Sequence, residues 1–187
     1  MRNSQNLSEA EVSLLKFAER VSESDSSVLS VLEMFLIDKN RYFKKFEDDL
    51  YQRGIEDPAD ISKEIVLIDA LEYSGKLAYV DHATEADWVM EEIDRLSNGN
   101  ISKNSCFKTL VEAYKRAGKY NAIGNFVADA TIAPMPFDCI SSQGYKLLAI
   151  DEGSDSYAFI LLKNTIVAET IKYANDANIK LFFSNKT

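Results

Sequence analysis

The chain is expected to fold as α+β: a mostly helical N-terminal two thirds packed with a small antiparallel or mixed sheet, formed largely by the C-terminal third. Two observations carry this expectation. The first is the stretch Gly144 to Leu162, where two apolar runs, Tyr145-Lys146-Leu147-Leu148-Ala149-Ile150 and Tyr157-Ala158-Phe159-Ile160-Leu161-Leu162, flank a turn rich in Gly, Ser and Asp. That is the pattern of a β-hairpin. Both runs are continuous rather than alternating, so the hairpin belongs in the centre of a sheet covered on at least one face. The second is the long stretch before it, where apolar residues recur at helical spacing between recognisable caps. Helices followed by strands point to α+β.

The helices follow in order. Ser8 can cap the first, Glu11 can close a capping box, and Leu7 with Val12 can form a hydrophobic staple. Leu14, Phe17, Ala18 and Val21 supply its apolar face. The Ser/Asp cluster from Ser22 to Ser27 breaks it and caps a second helix, roughly Val28 to Ile37, which is apolar on most sides. A third carries Tyr42, Phe43, Phe46 and Leu50 and stops at Gly54. Asp57-Pro58-Ala59-Asp60 reads as the start of a helix running to Ser74, with Gly75 as its stop. Lys76 to Asp81 is short enough for a strand. Thr84 is expected to cap a helix to Leu96, with Asp87 in the capping-box place and Ala86, Val89, Met90, Ile93 and Leu96 as its buried stripe. Trp88 falls almost opposite that stripe. Ser97 to Asn100 is a turn, Phe107 to Ala117 a helix ended by Gly118, and Ile123 to Ala130 a weaker one. Pro134 and Pro136 close the helical part. A short helix over Thr165 to Asn175 and a strand over Asn178 to Phe183 complete a single globular domain, 1–187.

Composition narrows the function. With 46% hydrophobic and 27% charged residues the chain is globular rather than disordered. A net charge of −9 disfavours nucleic acid, which needs a cationic footprint, and an anionic membrane surface. Without a long apolar run or a signal-peptide core, a cytoplasmic location is expected. Two cysteines, Cys106 and Cys139, sit far apart; reduced buried thiols are the expected state, with one disulfide as the alternative.

No nucleophile elbow, P-loop, zinc-protease or dinucleotide motif occurs in the chain. The lone His82 stands next to Asp81, the beginning of a general-base unit, but neighbours on a strand point to opposite faces. Asp151, Glu152 and Asp155 on the hairpin turn are the right chemistry for a hard cation, though turn residues of these types usually bond their own backbone. Asp69 is out of place in an apolar helix and has to be paired or at an exposed edge. No catalytic residue, metal site or cofactor is therefore expected. Acids cluster instead. Asp81, Glu85, Asp87, Glu91, Glu92 and Asp94 include no cation among them, and Glu47, Asp48, Asp49, Glu56, Asp57 and Asp60 are offset only by Arg53. These are either solvated helix faces or a docking surface with Trp88 as aromatic anchor in a charged rim.

The hairpin text Leu147-Leu148-Ala149-Ile150-Asp151-Glu152-Gly153-Ser154-Asp155-Ser156-Tyr157 resembles the signature of a bacterial family classed only as a domain of unknown function. The layout of Thr165 to Phe183, and of Ile65 through Gly75 and Asp81 to the Trp88 helix, is similar to it as well. The resemblance implies a bacterial origin and carries over no established activity. In general form the chain also looks like bacterial immunity proteins, which are often small, acidic and cytoplasmic and neutralise toxins. The expected function is accordingly a non-catalytic binding protein, an immunity protein contacting a basic toxin domain. Its expected contacts are Glu85, Asp87, Trp88, Glu91 and Glu92, with Asp151, Glu152 and Asp155 on the turn. The alternatives are a metal-assisted hydrolase using scattered acids such as Asp69, Asp151 and Asp155, and a regulatory interaction module.

Overall fold

A computed structural model describes residues 7–81, 84–117 and 136–183. The fold is α+β, and its sheet is antiparallel throughout. Strands β1 (Ala78–Val80), β2 (Tyr145–Ile150), β3 (Tyr157–Lys163) and β4 (Leu181–Phe183) lie in the order β1-β3-β2-β4. The predicted hairpin β2–β3 is the central pair, in register with Leu148 opposite Ile160 and Ala149 opposite Phe159.

Helices cover the sheet on both faces, which explains the continuous apolar runs. Leu148, Ile150, Ala158, Ile160 and Leu162 join one core with α1 (Glu9–Ser22), α2 (Ser26–Ile37), α5 (Lys63–Tyr73) and α9 (Val167–Asp176). The alternate residues Leu147, Ala149 and Phe159 turn to the other face and join a second core. That core contains Val89, Met90 and Ile93 of α6 (Ala86–Leu96), Phe107 and Leu110 of α7 (Ser105–Ala117), and Ile140 of α8 (Pro136–Ser141). With side chains alternating along each strand, only a sheet buried on both faces calls for apolar residues at consecutive positions.

Local chemistry explains where the observed helices depart from expectation. The capping box at α1 forms as expected, with Ser8 and Glu11 exchanging side-chain and backbone bonds. The third helix is two, α3 (Lys39–Lys45) and α4 (Glu47–Gln52), because Phe46 leaves the helical region (φ −118°, ψ 24°) and packs its ring 4.7 Å from that of Tyr42. The Asp57-Pro58 start yields only a 3₁₀ turn, Pro58–Asp60. The long helix begins instead at Lys63, where the Ser62 hydroxyl accepts the Ile65 N–H at 3.1 Å. Thr84 does not cap α6; Glu85 holds that position without a side-chain bond, and the Asp87 carboxylate accepts the Trp88 N–H. Pro136 opens α8 rather than closing a helical part, a place where a missing N–H is harmless. The Ile123 to Ala130 segment, Gly118, His82 and Pro134 lie outside the described residues.

The cysteines also depart from expectation. Packing of α7 against α8 brings Cys106 and Cys139 together as a disulfide spanning 33 residues, with Cα atoms 5.8 Å apart, within bridging range. Their separation in the chain concealed this proximity. Among the described residues, no helix is long and apolar enough to cross a membrane.

Leu147 and Leu148 are adjacent, both 1% exposed, and face opposite cores. Leu147→Ala and Leu148→Ala should each destabilise the protein by about 2–5 kcal/mol, measured by urea unfolding. A sheet with one solvated face would leave one of the two nearly neutral.

Candidate functional site

The acids divide into those the fold uses and those it leaves on the surface. On the hairpin turn, the Asp151 carboxylate accepts the Gly153 N–H at 2.9 Å, and the Ser154 hydroxyl accepts the Ser156 N–H at 3.1 Å. These are the local backbone bonds expected of such a turn. Asp155 is exposed. Glu152 turns inward and its side chain is only 7% exposed. It accepts hydrogen bonds from the Tyr79 hydroxyl and from Ser154.

Glu152 belongs to a cluster around Arg53, which follows α4. The guanidinium lies 2.5 Å from Asp69 Oδ1, 4.0 Å from Glu72 and 4.0 Å from Glu152. It also sits 5.5 Å above the Tyr79 ring, in the range of a cation–π contact. Four elements therefore meet at one cation: the end of α4, the i and i+3 acids of α5, strand β1 and the hairpin turn. The approach to Asp69 is close but misdirected, because that buried oxygen receives no aligned hydrogen bond among the described residues. Burial outweighs the guanidinium and pushes Asp69 up to about 6. Burial likewise raises Glu72 and Tyr79, the latter helped by its bond to Glu152. One cation facing three carboxylates leaves the cluster with excess negative charge, and Asp69 is where it can take up a proton.

Sequence reasoning flagged Asp69 as needing a partner but not its identity. The available signal was that Arg53 is the sole cation from Glu47 to Asp60. Asp69, Asp151 and Asp155 do not form one set: Asp69 faces Arg53 while Asp151 holds its own turn. Among the described residues, no three His, Cys, Asp or Glu side chains are placed to hold a metal ion; the three carboxylates near Arg53 face its guanidinium.

Helix α6 carries the other expected site. Its stripe of Val89, Met90 and Ile93 is buried, which anchors the helix on the sheet and directs the opposite side to solvent. Trp88 is 49% exposed, neither folded away nor free of the surface. Glu85 and Glu91 are exposed beside it in sequence and Asp87 is half-buried. Glu92 is committed to the fold: it pairs with Arg95 at 2.8 Å, and Arg95 donates to the carbonyls of Gly75 and Leu77. Asp94 accepts the Ser102 N–H at 2.8 Å and holds the turn after the helix. The outward acidic patch is thus the first half of α6.

Removing the Asp69 charge tests the cluster. A carboxyl raised from 3.8 to about 6 on folding favours the native state below pH 4, and that advantage is lost as pH rises to 6. Wild-type stability should therefore fall by about 2–3 kcal/mol over that window from this group, and Asp69→Asn should flatten that part of the profile in urea melts from pH 4 to 7. An unchanged slope in the variant would refute the assignment.

A family model described as Domain of unknown function (DUF6630) matches residues 13–184, and the chain belongs to that family. No curated protein and no solved structure matches it.

Proposed function

We propose that this member of the family is a non-catalytic binding protein: a bacterial, cytoplasmic immunity protein that blocks a basic toxin domain through the first half of α6. The observation that carries this reading is Trp88, half in solvent at 49% and flanked by the exposed acids Glu85 and Glu91. An aromatic side chain in a charged rim is the composition of an interface anchor, since ring burial supplies most of the affinity while the rim excludes water. The surrounding acids, in a chain of net charge −9, would draw a basic partner and raise the association rate. The reading needs no cofactor. Glu92, Asp151 and Glu152 have roles in the fold, so the contacts reduce to Glu85, Asp87, Trp88 and Glu91, with Asp155 at the exposed turn.

The gene of an immunity protein stands beside that of its toxin, so the product of the adjacent gene is the partner to test. Wild type should form a tight, salt-sensitive 1:1 complex with it. The double reversal Glu85→Lys/Glu91→Lys should weaken that complex by roughly tenfold or more, mainly through slower association, as read by biolayer interferometry. Equal affinity for wild type and the reversed protein would remove α6 from the interface. Glu92 is left unchanged in this test because its loss would also release Arg95.

A further inference from the structure

We propose that the cavity where α1, α5 and α6 end binds a small molecule bearing an oxyanion, a phosphate or a carboxylate, held by Lys76 and Lys163 in the place now taken by the Glu23 carboxylate. The cavity has a volume of about 360 Å³ and is lined by Arg20, Lys76, Arg95 and Lys163 against the single acid Glu23. Glu92 and Glu169, which do not line the cavity, pair with Arg95 and Arg20, and this leaves the two lysines to Glu23. The volume suits a small metabolite.

The ordinary role for cations here would be to neutralise the negative ends of three helices. Arg95 does that, donating to the carbonyls of Gly75 and Leu77 at 2.9 and 3.0 Å. Arg20 pairs outward with Glu169 at 3.0 Å. The two lysines behave differently. Both turn to Glu23, with Lys76 Nζ at 2.8 Å and Lys163 Nζ at 3.2 Å from its two oxygens. Two cations sharing one carboxylate, with one on each oxygen, is how an oxyanion would be gripped.

Glu23 is the C-cap of α1, at φ 56° with its N–H bonded to the Glu19 carbonyl, so its backbone is fixed by the helix end while its side chain is free to turn away. Its side chain is 57% exposed, so water can replace its ion pairs at little cost and an incoming anion can displace it. Asn98 adds a polar side chain to the walls, where Ser74 and Asn100 are already bonded to Leu71 and Ser97, while Tyr145 and Leu161 offer an apolar side. Burial of an organic body against these two would distinguish the ligand from a bare ion.

The test is thermal melting and calorimetric titration with inorganic phosphate and, separately, citrate, each against sodium chloride at equal ionic strength. At least one should stabilise wild type beyond chloride, and the arm that does so identifies the preferred group. Lys163→Ala, at a side chain 63% exposed and so expected to fold, should lower the affinity at least about tenfold and thereby exclude a general salt effect. Glu23→Gln, which frees both lysines, should raise it about threefold or more. The proposal is overturned if neither anion acts on wild type or Glu23→Gln, or if Lys163→Ala binds as tightly as wild type. Far-UV circular dichroism confirms the fold of each variant.

Discussion

A hairpin apolar on both faces cannot be left at a surface, and the architecture follows from that constraint. Strands β2 and β3 place Leu148 and Ile160 on one side and Leu147 and Phe159 on the other, so each face has to be roofed by helices. The N-terminal helices with α9 roof one, and α6, α7 and α8 the other. The covering in turn decides which surfaces remain available. Helix α6 must commit Val89, Met90 and Ile93 inward, and this leaves Trp88 on the outside.

The turn of the hairpin cannot be roofed in the same way, and it is fastened by charge. Glu152 reaches back to Tyr79 and to the Arg53 cluster, tying the sheet to α4 and α5. A buried ionic cluster is weak evidence for stability, because desolvation opposes the attraction. At Asp69 the two effects run against each other: burial raises the carboxyl to about 6 while the Arg53 guanidinium lowers it. What the cluster does is bring the end of α4, helix α5, strand β1 and the hairpin turn to one guanidinium.

Much of this was legible in the chain. The reciprocal start of Ser8 with Glu11 was found where the residues put it, as were the hairpin and the antiparallel option for its sheet. The errors share a cause. Asp57-Pro58 carries a good start signal, yet Ser62 carries a second one five residues later, and packing rather than local preference decided between them. Phe46 leaves the helical region at φ −118°, ψ 24° inside a stretch whose apolar spacing is helical throughout, so periodicity gives no sign of the break. The pairing of Cys106 with Cys139, the Arg53 cluster and the inward turn of Glu152 depend on residues distant in sequence. Counting acids likewise does not tell which of them the fold uses, as it does Glu92, Asp94 and Glu152, and which stay exposed beside Trp88, as do Glu85 and Glu91.

Trp88 is the one tryptophan in the chain, so its fluorescence reports on that surface alone. The most direct measurement is acrylamide quenching of this emission, for the free protein and for its complex with a tryptophan-free variant of the adjacent gene's product. The account predicts ready quenching in the free protein and strong shielding in the complex. A stoichiometric complex in which Trp88 is quenched as readily as before would contradict it.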